Sequence, residues 1–244
     1  MGEAPQTVEG AYLQRVEDGR LTLDQAQREA ARLLDDVLAN LKSAKPAGFF
    51  RKADKVTGLY LWGGVGRGKS MLMDLFSSLS PVPVRRAHFH EFMAGVHDDF
   101  NDWRNMDESA RKKSDHYVRS AGSDPVAPVA KKIADSARLL CFDEFQVSQI
   151  ADAMILSRLF EQLFDRGVTV VATSNRHPDE LYKDGLNRQL FLPFIERLKS
   201  ECDVFELVSD RDYRLERLTE APVWHAPAAN ATAAMDRAFD RLTM

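Results

Sequence analysis

Cysteine is scarce in this 244-residue sequence, which contains only Cys141 and Cys202. Two cysteines cannot build a disulfide framework or a cysteine-based zinc site. Each lies within an apolar, strand-like run, so we expect both to be small, buried hydrophobic side chains. Such sparing use of cysteine is typical of a protein from a reducing compartment.

Long apolar runs are also missing, since none approaches the roughly 18 residues that a membrane-spanning helix needs. The first residues lack the basic and then apolar pattern of a secretory signal. These two absences favour a cytoplasmic protein that has, at most, a peripheral association with a membrane.

An excess of basic residues is absent as well, because 33 Lys and Arg face 37 Asp and Glu, for a net charge of −4. Nucleic-acid-binding domains are usually strongly basic, so a nucleic-acid partner is not favoured. Local basic clusters such as Arg85-Arg86 and 111–113 are most simply interpreted as solvated surface. A hydrophobic content of 44% permits a substantial core in one large domain, with or without appendages.

The strongest motif is the P-loop sequence GLYLWGGVGRGKS at 58–70, where an apolar strand pattern leads into Gly63-x-x-x-x-Gly68-Lys69-Ser70 and then a helical run. Glycines allow backbone N–H groups to surround phosphate oxygens, and the helix N-terminus adds its partial positive charge. Lys69 suits the β- and γ-phosphates, and the Ser70 hydroxyl suits Mg²⁺. A nucleoside di- or triphosphate with Mg²⁺ is therefore the predicted ligand. The residues expected to bind the nucleotide are consecutive: Gly63, Gly64, Val65, Gly66, Arg67, Gly68, Lys69, Ser70 and Met71.

Two adjacent acids, Asp143 and Glu144, follow the apolar strand pattern at 139–142. Beside a P-loop, the first acid is expected to hold Mg²⁺ and the second to activate the attacking water. A phosphoryl-transferring kinase has no need of a carboxylate that activates water, so Glu144 favours a hydrolase. An isolated Asp-Glu pair would be ordinary surface.

The β-branched run 168–173 ends at Ser174-Asn175. On a neighbouring strand, the Asn175 amide is expected to position water near the γ-phosphate, although an asparagine also commonly ends a strand in a turn. Arg188 and, alternatively, Arg197 are candidates for an arginine finger that acts in a neighbouring subunit. Each arginine taken alone is more simply explained as ordinary helix surface.

An N-terminal helix is predicted by the capping box Thr22-Leu23-Asp24-Gln25 and by apolar residues at helical spacing over 26–41. Two interpretations remain for Gln27 on this helix: contact with the adenine edge or, more simply, an exposed polar residue.

Strands alternate with helical patterns from Leu59 to Leu207, which predicts a doubly wound parallel sheet with its ligand at the carboxyl ends of the strands. The polar stretch 104–126 is expected to be a loop or a mobile insertion. Three regions are predicted: an N-terminal helical segment at 1–50, a nucleotide-binding core at 51–218, and a C-terminal region beginning at 219–244.

The motifs together resemble the ZapE-type AAA+ ATPases of bacterial cell division, whose mitochondrial relatives are the LACE-type proteins. The resemblance spans about residues 10 to 244. The matching blocks are GLYLWGGVGRGKSMLMDLF (58–76), HFHEFMAGVH (88–97), LLCFDEFQVSQIADAMIL (139–156), TSNRHPDELYKDGLNRQLFLPFI (173–195) and DYRLERL (212–218).

The resemblance implies an α/β fold of the P-loop NTPase, AAA+ type: an αβα sandwich with a five-stranded parallel sheet in the order 5-1-4-3-2. It also implies ATP hydrolysis, a homo-oligomer formed through the nucleotide interface, and recruitment to the division site by an FtsZ-type partner. The sequence departs from the family at Gln149, where an acidic residue is usual. Family members also continue well beyond this point, so 219–244 is expected to be the start of a truncated C-terminal region.

Two other functions remain open from the sequence alone. One is a nucleotide-gated binding module with little turnover of its own. The other is a helicase-loader-like AAA+ protein acting on DNA, which the acidic net charge disfavours.

Overall fold

The fold is centred on one parallel sheet, as seen in a computed structural model that describes residues 6–45, 51 and 53–208. Its five strands are β1 (Gly58–Trp62), β2 (Val84–His88), β3 (Leu139–Asp143), β4 (Thr169–Ser174) and β5 (Cys202–Glu206). They are ordered β2-β3-β4-β1-β5 and all pair in parallel. This is the predicted order read from the opposite edge, so the prediction is confirmed.

The sequence of each strand accounts for its place in the sheet. Every residue of β3 and β4 is buried, as expected for apolar and β-branched runs that are covered on both faces. Most of β2, which contains Arg85 and Arg86, is exposed, because it forms an edge of the sheet. The central strands therefore hold the carboxyl ends of β1, β3 and β4 side by side.

Helices cover both faces of the sheet. The α-helices of the described residues are α1 (Val8–Glu17), α2 (Gln25–Ser43), α3 (Lys69–Ser78), α4 (Phe89–Asn105), α5 (Glu108–Lys113), α6 (Val126–Ser136), α7 (Ile150–Asp165) and α8 (Leu192–Glu201). One core joins α1, α2 and α3 to strand residues such as Leu61 and Val171. A second core joins α4, α6, α7 and α8 to the alternate strand residues, such as Tyr60 and Phe142. Both cysteines are free and buried, as predicted.

Two local predictions were wrong. Helix α2 is capped by Asp24 rather than Thr22, because the Asp24 carboxylate accepts the backbone N–H groups of Ala26 and Gln27. The stretch 104–126 is not simply a loop, because it contains the end of α4 and all of α5. Asp107 caps α5 by accepting the N–H of Ala110, but this helix buries no residue and so leaves no apolar periodicity in the sequence.

The block at 212–218 and the predicted C-terminal region at 219–244 lie outside the described residues. The division into regions therefore stays a prediction. Within the described ranges, no helix is both long and apolar enough to cross a membrane.

Candidate functional site

The P-loop connects the carboxyl end of β1 to α3, and its backbone shape depends on glycine at two positions. Gly63 has a φ of +147°, and a Cβ there would lie 2.6 Å from the carbonyl oxygen of Leu207. Gly68 has a φ of +88°, in the left-handed region, and is the N-cap of α3. Because residues with a side chain rarely adopt these angles, the loop keeps the tight curvature that phosphate binding requires.

Lys69 links the P-loop to the end of β4. Its ammonium group donates to the carbonyl oxygens of Gly63 and Gly64, both at 2.7 Å, and to Oδ1 of Asn175 at 3.0 Å. The side chain is only 8% exposed. Two residues predicted from separate motifs, Lys69 and Asn175, are thus in direct contact, and a positive charge is fixed at the base of the loop.

Asp143 ends β3 and is 5% exposed, and its carboxylate is paired with a residue that the sequence did not single out. Arg86 of β2 approaches Asp143 Oδ2 through Nε at 2.9 Å and Nη2 at 2.8 Å, and its Nη1 also donates to Asp74 of α3. Burial acts to lower the pKa of Arg86, but the hydrogen bonds and charges of the two acids outweigh it and raise that pKa. Arg86 is therefore part of the site and not simply solvated surface.

Glu144 follows Asp143 in a backbone conformation that is unusual for a residue with a side chain, with a φ of +55°. Its neighbours hold this conformation in place: its N–H donates to Thr173 Oγ1 at 3.3 Å, and the N–H of the buried Phe145 donates to the Thr173 carbonyl at 2.7 Å. A left-handed residue costs about 1–3 kcal/mol and is typical of functional sites. The turn leaves the Glu144 side chain exposed at the cavity, while Phe145 enters the core.

Lys69, Glu144 and Asn175 border one cavity of about 710 Å³, which is large enough for a nucleotide, whereas Asp143 and Arg86 are not part of its lining. Its lining includes Ser70, Glu144 and Asn175, together with the P-loop from Val65 to Met71. The rest of the lining consists of Thr173 and Ser174 of β4, Gln27, and the loop 19–22 between α1 and α2, which was not predicted to take part in the site.

The two candidate arginine fingers do not line this cavity. Arg188 donates to the carbonyl oxygen of Asp179, five residues after the end of β4, and the Asp179 carboxylate also pairs with Lys199 of α8 at 2.9 Å. Arg197 instead pairs with Asp165 at 3.0 Å and with Glu201 at 2.8 Å, the last residues of α7 and α8. Arg188 therefore contacts the segment that follows β4, whereas Arg197 contacts the ends of two helices.

Comparison with known proteins places this chain among P-loop ATPases. The family model described as AFG1-like ATPase matches residues 6–244. The cell division protein ZapE of Escherichia coli strain K12 is 39% identical over 245 residues, which cover 93% of this chain and 61% of ZapE. The lactation elevated protein 1 homolog B of Danio rerio is 47% identical over 165 residues, covering 67% of this chain and 32% of the homolog. The chain thus spans less than two thirds of the length of either relative.

Solved structures share the fold at low sequence identity. AMPPCP-bound DnaA from Aquifex aeolicus has a TM-score of 0.52 and 16% identity, covering 86% of this chain and 56% of that one. A DnaI structure has a TM-score of 0.51 and 15% identity, covering 80% and 89%. At such identities the likeness concerns the fold alone. Together with the strand order, it confirms the predicted αβα fold of the P-loop NTPase, AAA+ type.

Proposed function

The chain belongs to the AFG1-like ATPase family, and on that premise we propose that it binds ATP with Mg²⁺ in the cavity and hydrolyses it to ADP and phosphate. The observation that carries the proposal is the contact between Lys69 and Asn175 beside the exposed Glu144. A cation, an amide and a carboxylate at the end of a P-loop are the groups that phosphoryl transfer to water requires.

Two oxygen-bearing side chains suit a magnesium ion. The Asp143 carboxylate ends β3, and the Ser70 hydroxyl stands at the first turn of α3 beside the cavity; Arg86, which now pairs with Asp143, would give way to the ion. Asp143 and Ser70 would hold Mg²⁺, because hard oxygen donors are its preferred ligands. When bound, the ion neutralises charge on the β- and γ-phosphate oxygens.

The chain's own groups account for the remaining chemistry. Glu144 accepts a proton from water as the water oxygen bonds to the γ-phosphorus and the bond to the β-bridging oxygen breaks. Asn175 holds that water and the γ-phosphate in line, and Lys69 compensates the negative charge on the phosphates. The backbone N–H groups from Gly63 to Met71 cradle the phosphates.

An arginine from a second copy of the chain completes the site in this proposal. Arg188 is the better candidate, because it contacts the segment that follows β4 and Asn175 and pairs with no carboxylate within the described residues. Arg197 is paired with two acids, Asp165 and Glu201, and would have to leave both. Assembly through the nucleotide interface would therefore bring Arg188 of one copy towards Glu144 of the next.

A role in cell division is suggested by the relationship to the cell division protein ZapE. We extend that role to this chain, with a cytoplasmic location, recruitment to the division site and an FtsZ-type partner. The chain covers 61% of ZapE, so these properties belong to the proposal for the whole protein.

Nucleotide binding is tested by titrating the protein with a fluorescent ATP analogue in the presence of Mg²⁺. We expect Lys69→Ala to weaken binding by more than about tenfold, because it removes a charged partner of the phosphates worth roughly 1.5–3 kcal/mol. The control Lys183→Ala removes an exposed lysine that pairs only with Glu180 among the described residues. Equal binding by wild type and Lys69→Ala would contradict the proposed site.

A nucleotide-gated binding module is the second candidate function, and the pairing of Arg86 with Asp143 favours it. Arg86 pairs with the Asp143 carboxylate, which is proposed to hold Mg²⁺, so binding of the nucleotide with Mg²⁺ would displace Arg86. Its contact with Asp74, which joins β2 to α3, would then change. Tight ATP binding without turnover would support this candidate.

A further inference from the structure

Gln27 lies in the first turn of α2 and is held against the P-loop. It is 1% exposed, and its Nε2 donates to the carbonyl oxygen of Arg67 at 2.9 Å. A carbonyl oxygen can only accept, so this bond fixes which end of the amide faces the loop. The Gln27 carbonyl oxygen must then face away from Arg67.

The Gln27 carbonyl oxygen, Oε1, has no hydrogen-bond partner within the described part of the chain. A buried polar atom without a partner is costly, and native structures rarely leave one unexplained. Gln27 also lines the cavity, so a bound ligand can supply the missing donor. Its amide fits there because residue 68 is glycine: a Cβ on Gly68 would lie 2.6 Å from Gln27 Nε2.

The position of Gln27 indicates which part of a nucleotide it meets. The P-loop N–H groups and Lys69 account for the phosphates, and Glu144 and Asn175 lie towards the γ-phosphate. Gln27 contacts Arg67 and Gly68 of the P-loop rather than Lys69 or Asn175, and with the loop 19–22 it supplies the lining that those phosphate-directed groups do not, which is available to the nucleoside.

We propose that Gln27 selects adenine, its Oε1 accepting a hydrogen bond from the exocyclic 6-amino group of the base. The inference rests on the proposed function, since it concerns the nucleotide bound in the same cavity. The second hydrogen of Nε2 is available for N7 of the same purine, which is the usual bidentate pairing of glutamine with adenine.

The group at position 6 of the purine ring allows Gln27 to distinguish adenine from other purines. Guanine and hypoxanthine carry a carbonyl oxygen there, and an oxygen facing Oε1 would leave two acceptors opposed and both without a donor. A good bidentate amide contact discriminates between bases by roughly 5- to 150-fold. Selectivity of that size is expected for ATP over a nucleotide whose 6-position carries oxygen.

The test compares equilibrium binding of ATP and inosine triphosphate, whose base carries oxygen in place of the 6-amino group. We expect wild type to bind ATP at least fivefold more tightly. Gln27→Met should bring the ratio of the two affinities close to one, because methionine fills the space but has neither amide group. The matched control Gln25→Met, which alters an exposed residue of the same helical turn that does not line the cavity, should keep the wild-type ratio.

Two results would overturn the inference alone. One is equal affinity of the wild-type protein for both triphosphates, a result that does not depend on the folding of any variant. The other is a Gln27→Met variant that binds both triphosphates more weakly but keeps the wild-type ratio of the two affinities. Gln27 would then only support the structure of the P-loop. Failure of wild type to bind either triphosphate would overturn the proposed function and this inference with it.

Discussion

Removal of the Arg86 guanidinium should destabilise the protein by an amount that its contacts allow us to estimate. The Asp143 side chain alone is 7% exposed and that of Arg86 29% exposed, and two Arg86 nitrogens lie within 2.9 Å of one carboxylate oxygen. Breaking a buried pair costs about 3–5 kcal/mol, and partial exposure reduces this. For Arg86→Met we expect about 2 kcal/mol. That corresponds to a fall in Tm of roughly 4–8 °C for a domain of this size.

The assay is thermal unfolding of wild type and Arg86→Met, without ligand and with ATP and Mg²⁺. Bound Mg²⁺ supplies Asp143 with another cation, so the difference in Tm should narrow when the ligand is present. The control is Arg85→Met on the same strand. The Arg85 guanidinium stacks over Phe92 at 5.2 Å, a contact worth about 0.5–1 kcal/mol. An unchanged Tm in Arg86→Met, or a fall no larger than in Arg85→Met, would refute the estimate.

Three further predictions concern the scaffold. Gly58→Ala should give little folded protein on expression, because its Cβ would lie 1.8 Å from a carbonyl oxygen of β4, whereas Gly95→Ala should fold normally, because its Cβ would make only an ordinary 3.6 Å contact with the Arg85 side chain. Burial raises the pKa of the Cys141 thiol to about 12, so iodoacetamide should label it only in denaturant, and rapid native labelling would contradict this. The hydrogen bond from Arg28 lowers the pKa of Glu9 below its ordinary 4.5. The ionised Glu9 carboxylate therefore stabilises the fold above pH 4.5, and this stabilisation is lost as the pH falls through the lowered pKa. Urea unfolding at neutral and acidic pH should show that the difference in free energy of unfolding between wild type and Glu9→Gln becomes smaller in acid.

The parts of the site that lie within one local motif were predictable from the sequence. Gly63, Gly68 and Lys69 follow one another in a loop whose shape depends on its own glycines, so their spacing suffices. Asp143 and Asn175 were predictable for a different reason. Each ends a buried strand, and parallel strands bring their carboxyl ends to one edge of the sheet.

Other features depend on partners that are distant in the chain. Arg86 was interpreted as solvated surface, because the sequence pattern of a strand predicts which face a side chain lies on but not its partner on the neighbouring strand. That partner, Asp143, is 57 residues away in the chain. Gln27 was similarly ambiguous, since its bond to Arg67 spans 40 residues. The helix α5 was missed because it buries nothing and is stabilised by its Asp107 cap.

ATP turnover per subunit, measured with Mg²⁺ across a series of protein concentrations, tests the central claim most directly. The comparison includes Glu144→Gln, together with Glu161→Gln as a control on the exposed side of α7. If Glu144 activates water in an assembled site, turnover per subunit rises with concentration, is lost in Glu144→Gln, and persists in Glu161→Gln. Unchanged turnover in Glu144→Gln would contradict the assignment of Glu144 as the catalytic base.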